Sequence, residues 1–392
     1  MVLTSLANWC GFIILVAVFW LLPPRWRLGW LACFSLVLLA LNDFAAAVLI
    51  GYLLLLCLLS PIWIAGIRWR AWAVVAALLI PLAVFKYPIL LGLARLQEST
   101  ALAYDPAALA LPLGISYVTF KALMYTLEVS RERIAAPGLT ALASYLALAP
   151  VVSAGPIDKP QHLLPQLLKE VRPSLDLLIY GGYRIILGII FKFIVADGLG
   201  MLMHAFSPGA LAVSTKKLLL FGPIYSLIIY FDFAGYSHIA IGAAAGLGLR
   251  CQENFASPYF KPNIGAFWRS WHMSLMKFLR DYIYFPIAYR LAKPAGARTA
   301  AHLAGIVTFI ACGLWHGDGW NFLAWGLYHG LLLSAHQLFL KATKRAPLFK
   351  RLRRQRWLLV PSIALTFALV TLGWYLFAFS PAQLAIIFGG GG

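Results

Sequence analysis

Long apolar runs, separated by short loops that are mostly basic, constrain this chain more than any other feature. They fall near Ala7–Leu22, Leu28–Asn42, Ala45–Ile67, Ala71–Leu93, Ala107–Leu127 and Leu139–Val152. Others follow near Leu177–Val195, Lys217–Tyr230, Ser237–Leu249, His302–Leu314, Trp320–Leu340 and Trp357–Phe379. In lipid every backbone polar group must bond internally, so only helices or closed barrels span. A barrel shows alternating segments of roughly ten residues, whereas these runs are longer, do not alternate and are rich in Leu, Ala and Ile. A spanning helix needs about 20 apolar residues. The expectation is an all-α integral membrane protein with about 10–12 transmembrane or re-entrant helices. They would surround a central funnel or tunnel, with amphipathic helices beside them. No internal period or Pro/Ser-rich linker divides the chain, so 1–388 reads as one domain with a motif core at 111–330. The terminal glycines 389–392 read as a truncation or linker scar.

Charge supports this class. Only 11% of residues are charged, against about a quarter in soluble domains. The formal net charge is +19, from 32 Lys+Arg against 13 Asp+Glu. A nucleic-acid binder gathers such an excess on one face, but here it is scattered through short loops. That pattern fits the positive-inside rule and contact with anionic membrane lipid, with no nucleic-acid partner. The densest basic run, Lys341 to Arg356, holds eight Lys/Arg and no acid, which places that loop in the cytoplasm. Leu6–Leu22 lacks a basic start and a small-residue cleavage site, and reads as a retained helix. The five cysteines have no paired spacing and fit neither a zinc site nor a disulfide framework.

Two strings stand out against this apolar background: Trp268-Arg269-Ser270-Trp271-His272 and Leu314-Trp315-His316-Gly317. Histidine gains or loses a proton near neutral pH, and an ionisable residue inside a membrane protein is a functional hypothesis by default. His316 ends an apolar run before Gly317-Asp318-Gly319, where glycines interrupt a helix and can aim an imidazole into a cavity. A histidine hydrogen-bonded between helices is the alternative. Between Ile264 and Tyr284, the apolar residues Phe267, Trp268, Trp271, Leu275, Phe278, Leu279 and Tyr282 recur at helical spacing. This predicts one amphipathic helix, along a membrane surface or plugging the bundle, with Trp268 and His272 on one face. His329, His336, His238, His204, His302 and His162 lack comparable context and read as structural or loop histidines. Cys312, one turn before His316, reads as packing, with a covalent nucleophile as the alternative. No metal-ligand spacing is present.

The chain resembles the membrane-bound O-acyltransferase superfamily at LPLGISYVTFKALMYTLEV (111–129), APVVSAGPIDKPQHLLPQL (149–167) and FDFAGYSHIAIGAAAGLGL (231–249). The likeness continues at ENFASPYFKPNIGAFWRSWHMSLMKFLRDYIYFP (253–286) and GLWHGDGWNFLAWGLYHG (313–330). It is similar to the bacterial polysaccharide branch, which includes alginate O-acetyltransferases and the teichoic-acid D-alanyltransferase. Gly155-Pro156-Ile157-Asp158 looks more like the D-alanyl side. A Gly-Gly-Asn-Arg string of alginate-type members is replaced by Pro286-Ile287-Ala288-Tyr289-Arg290.

The resemblance implies an acyltransferase of the bacterial cytoplasmic membrane, with His316 and His272 as catalytic residues. Trp268, Trp271, Arg280, Asp281, Tyr284 and Trp315 would line the donor or substrate path. Arg280–Asp281 alternatively forms an internal ion pair that fixes a helix end. No cofactor is held tightly. The donor would be a cytoplasmic thioester, either an acyl carrier protein's phosphopantetheine or acetyl-CoA. The acceptor would be a hydroxyl on an exported glycopolymer or on a relay acyltransferase. A transporter or flippase without acyl chemistry is the competing class, since intramembrane His, Asp and Arg also mark substrate paths.

Overall fold

A computed structural model describes the chain apart from 1–2, 4, 66, 68, 88–110, 171, 206–214, 345, 348–350, 352–354, 380–382 and 384–392. The terminal glycines and much of the basic run therefore lie outside the described residues. No strand occurs among the described residues, and the protein is an all-α integral membrane protein. Six described helices are long and apolar enough to cross a bilayer: Pro24–Asn42, Phe44–Ile64, Leu175–Met203, Leu219–Gly246, Ala297–His316 and Arg356–Ala378. Three of the apolar runs do not form separate spanning helices of their own. Leu139–Val152 yields only the nine-residue helix Leu139–Ala147, too short to cross about 30 Å. Lys217–Tyr230 and Ser237–Leu249 merge into one 32-residue helix, Thr215–Gly246.

The chain divides into two compact units, residues 1–192 with 233–253 and residues 193–232 with 254–392. Unit 1 begins with α1 (Leu6–Leu21), α2 (Pro24–Asn42), α3 (Phe44–Ile64) and α4 (Arg70–Lys86). Then come α5 (Ile115–Ser130), α6 (Leu139–Ala147), α7 (Pro160–Leu168) and α8 (Leu175–Ile189). Local chemistry starts these helices. Ser5 caps α1 through Asn8 N, and Pro24 occupies the first turn of α2, where no N–H is needed. Asp43 caps α3 through Ala46 N at 2.9 Å, while its second oxygen accepts from Leu113 N at 2.7 Å. In α3, Leu49, Ile50, Leu53 and Cys57 are buried, whereas Val48, Leu55, Leu59 and Ile62 are exposed. A helix that presents apolar groups outward as well as inward suits lipid.

The chain continues through a π-helical stretch (Ile190–Ala196) and α9 (Asp197–Ala205) into α10 (Thr215–Gly246). In unit 1, α8 and the C-terminal part of α10 cross backbone to backbone. A Cβ at Gly181 would sit 2.8 Å from Gly242 O, and one at Gly188 would sit 2.6 Å from Gly235 O. As the position rises on α8 it falls on α10, so the two run antiparallel. Without a hydrophobic drive between helices in lipid, such close approach supplies the packing.

Unit 2 contains α11 (Ile264–Trp268), α12 (Met273–Leu279), a π-helical turn (Arg280–Tyr284), α13 (Phe285–Ala295), α14 (Ala297–His316), α15 (Trp320–Ala342) and α16 (Leu359–Ala378). Glycines again set the closest approach. Added Cβ atoms at Gly313 and Gly326 would collide with the carbonyl oxygens of Phe322 and Phe309, so α14 and α15 form a tight hairpin. The single amphipathic helix expected over Ile264–Tyr284 is broken. α11 stops at Trp268, and His272 takes φ +41° before α12 begins. Its apolar residues Ile264, Phe267, Trp268, Trp271, Leu275, Phe278 and Leu279 are all buried. The segment therefore packs into the interior of unit 2 rather than along a surface.

Candidate active site

His272 lies at the turn between α11 and α12 in the left-handed conformation (φ 41°, ψ 56°) and is 4% exposed. A residue with a Cβ in that region costs roughly 1–2 kcal/mol, so surrounding structure must hold it. The loop before α11 does so. Ala256 N donates to Ser270 O at 3.0 Å, and Met273 N donates to Asn254 O at 2.9 Å. Asn254 Oδ1 accepts from Ser274 Oγ at 2.6 Å and from Ser274 N at 3.4 Å. Trp268 and His272 do not share a helix face, because the break falls between them.

His316 is the last residue of α14, and Gly317 leaves the helix with extended backbone (φ −179°). The glycines thus end the helix where the sequence placed the break. The His316 ring is half-buried and lies 4.4 Å from Trp315, 4.8 Å from Phe377 and 5.3 Å from Trp325, centroid to centroid. The Trp315 ring also lies 6.4 Å from His272. Both histidine strings therefore meet inside unit 2, with one indole between them.

The other candidates separate into two groups. Trp268 and Trp271 are buried among aromatics: Trp268 against Phe309, Trp325 and His329, and Trp271 against Phe255, Phe267 and Trp374. Arg280 and Asp281 pair at 2.8 Å, but with side chains 55% and 21% exposed. This ion pair on a π-helical turn is therefore not internal: Arg280 is exposed and Asp281 half-buried. Tyr284 is half-buried and edge-on to Phe285 at 5.4 Å.

Burial pushes the His272 imidazole down to about 3, since removing water disfavours the charged ring. It is therefore neutral at physiological pH, with one N–H to donate and one nitrogen to accept. Cys312 is buried on α14 beside this region. Among the described residues, no three His, Cys, Asp or Glu gather as a metal site.

Two residues of this neighbourhood escape a reading of the sequence. His329 is fully buried on α15, 5.0 Å from Trp325 and 4.9 Å from Trp268. Its spacing of four from Trp325 was the available signal, since i,i+4 residues share a helix face. Asn254 is fully buried as well, and no local pattern marks a loop asparagine as the support of a distant turn.

The profile of the MBOAT, membrane-bound O-acyltransferase family matches residues 62–372. The chain is 31% identical to the teichoic acid D-alanyltransferase of Bacillus subtilis (strain 168), over 69% of this chain and 69% of that protein. It is 34% identical to an alginate O-acetylase of Azotobacter vinelandii, over 79% of this chain and 60% of that protein. A peptidoglycan O-acetyltransferase of Helicobacter pylori is 30% identical, over 70% of this chain and 55% of that protein. The chain thus spans only slightly more than half to about two thirds of these relatives. The matched region contains both histidine strings and every helix from α5 to α15, so the chain belongs to the membrane-bound O-acyltransferase family of acyltransferases.

Proposed function

We propose that this protein moves an acyl group, D-alanyl or acetyl, from a cytoplasmic thioester to a hydroxyl of an exported cell-envelope glycopolymer or relay protein. The relatives named for teichoic acid, alginate and peptidoglycan support an extracytoplasmic polymer as acceptor. The observation that carries the chemical reading is the meeting of His272 and His316 on Trp315. Acyl transfer needs a base for the hydroxyl proton and a donor for the developing oxyanion. In this reading His316, half-buried at a helix end, takes the proton as the hydroxyl oxygen attacks the thioester carbonyl carbon. His272, held neutral by burial, donates its N–H to the carbonyl oxygen as negative charge grows there. Collapse of the tetrahedral intermediate breaks the C–S bond, and the imidazolium of His316 returns the proton to the leaving thiolate. One ester and one thiol result.

The donor is a thioester on an acyl carrier protein's phosphopantetheine or on coenzyme A, and the enzyme lies in the bacterial cytoplasmic membrane. Trp268, Trp271, Arg280, Asp281, Tyr284 and Trp315 flank the two histidines in sequence and belong to the donor or substrate path in this reading. The test is turnover by the purified protein in detergent or vesicles, with acetyl-CoA and an aminoacyl carrier protein offered separately. Thiol release matched by ester on the acceptor is the expected result. Intact donor in both cases overturns the reading.

A further inference from the structure

We propose that Asn254 is the positioning residue of His272: it caps α12 from outside the helix and so fixes the backbone turn that carries the imidazole. The residue before a helix normally has extended backbone and a side chain that accepts from the first free N–H groups. His272 occupies that place but is left-handed, and its side chain makes no capping bond. The N–H groups of the first turn still need acceptors. Asn254 supplies them from outside the helix: its backbone oxygen takes Met273 N at 2.9 Å and its Oδ1 takes Ser274 N at 3.4 Å. The same Oδ1 holds Ser274 Oγ at 2.6 Å. With Ala256 N on Ser270 O at 3.0 Å, the contacts bracket His272 on both sides. A left-handed histidine is thereby fixed with its ring 6.4 Å from that of Trp315.

Full burial of Asn254 sharpens the assignment. A buried amide oxygen destabilises unless it is hydrogen-bonded, and the two bonds from Ser274 satisfy it here. The residues beside His272 are held through backbone and Ser274, none of which reacts. The clamp therefore acts on geometry, and a misplacement of about 1 Å at a reacting group can cost about 100-fold in rate.

The inference rests on the proposed role of His272, and the experiment separates the two. Asn254→Ala, Asn254→Asp and Ser274→Ala are compared in the native background and in His272→Ala, with kcat and donor KM measured for each. Asn254→Ala is expected to lower kcat about 10- to 100-fold with little change in KM. Asn254→Asp, which keeps the Oδ acceptors, should recover most of that loss. Ser274→Ala, which removes one bond and keeps the fold, should lower kcat by several-fold and serves if Asn254→Ala does not accumulate. In His272→Ala none of the three changes should slow the residual rate further, because residues acting as a unit are not additive. Equal losses in both backgrounds, or native kcat in Asn254→Ala with His272→Ala crippled, overturn the positioning role alone. Native turnover in His272→Ala overturns the functional reading of that histidine and the positioning role with it.

Discussion

Unit 1 buries charged side chains with hydrogen-bond partners, whereas unit 2 buries histidines among aromatic rings. Arg184, on the apolar span Leu175–Met203, is over nine-tenths buried and meets both carboxylate oxygens of Glu253, with Tyr180 OH 2.8 Å away. Lys121 donates to Tyr145 O at 3.0 Å, and Tyr145 OH donates to Asp158 O at 2.9 Å. Asp158 Oδ1 bonds His162 Nδ1 at 2.8 Å and accepts from Gln252 N at 3.2 Å. In unit 2, His272 and His329 are buried among Trp268, Trp315 and Trp325, and both ring nitrogens of His329 lack a hydrogen-bond partner among the described residues. The difference teaches what each region is for. Paired charges are costly to break and hold helices together. Neutral imidazoles carry a donor and an acceptor without the cost of burying a charge.

If that division is right, the largest single effect should come from unit 2 and should fall on chemistry rather than folding. His316→Ala is expected to lower acyl transfer about 10²–10⁴-fold, the usual contribution of a general base. Its thermal unfolding midpoint in detergent should stay near that of the native protein, because the side chain is only half-buried. Native turnover in that variant removes His316 from the mechanism and erases the contrast between the units.

Unit 1 should show the opposite signature. Arg184→Ala leaves Glu253 without its partner, and breaking a buried pair costs about 3–5 kcal/mol. The Glu253 side chain is 43% exposed, which puts the loss near the low end, about 3 kcal/mol. Arg184→Met combined with Glu253→Gln should recover much of it, since no lone charge then remains. Denaturation in detergent measures the three proteins, and kcat per folded molecule should change little. A large fall in kcat with unchanged stability would move this pair from scaffold to site.

How far the sequence speaks for each region follows from how local the controlling interactions are. The all-α membrane class was legible because apolar run length and helical period are properties of contiguous residues. The end of α14 at His316 was legible too, since Gly317 follows it directly. The break at His272 was not. Apolar residues from Phe267 to Phe278 repeat at helical spacing straight across it, and a left-handed histidine carries no glycine or asparagine signal. What enforces the break is Asn254, which reaches it from beyond the turn at Pro258–Phe260. The merging of two apolar runs into α10 was hidden because Asp232 and Gly235 look like loop residues. Gly235 is instead a contact glycine inside a helix, where a Cβ would sit 2.7 Å from Lys192 N.

A pH experiment sharpens the neutral character of unit 2. His272 is held down to about 3 by burial, while in the unfolded chain it titrates near 6.5. As pH falls below about 6.5 the unfolded chain binds a proton that the folded site refuses. The His272 contribution is therefore complete above the unfolded value and is lost as pH falls from there toward the folded one. The slope is at most about 1.4 kcal/mol per pH unit, or roughly 2 kcal/mol between pH 6.5 and 5. His272→Asn keeps a residue that tolerates left-handed backbone but does not titrate. Unfolding midpoints of the two proteins should diverge over that window, with the native protein falling faster. Parallel curves would show that His272 is not excluded from protonation.

The smallest effect is expected where unit 2 does carry a charge pair. Arg280 and Asp281 are neighbours on a π-helical turn, and Arg280 is more than half exposed. Water and salt screen such a pair, which contributes about 0–1 kcal/mol, so Asp281→Asn should leave stability almost unchanged. If the proposed donor path runs past this turn, the Arg280 guanidinium would attract the phosphate-bearing arm of a thioester donor, and Asp281 would compete for it. Arg280→Gln should raise donor KM by several-fold at low salt without altering kcat, and Asp281→Asn should lower it. Both effects should fade as salt shortens the range of the charges to about 10 Å at 0.1 M. Donor KM measured for both variants across a salt series distinguishes the roles. If neither variant shifts KM at low salt, the pair belongs with ordinary surface charge.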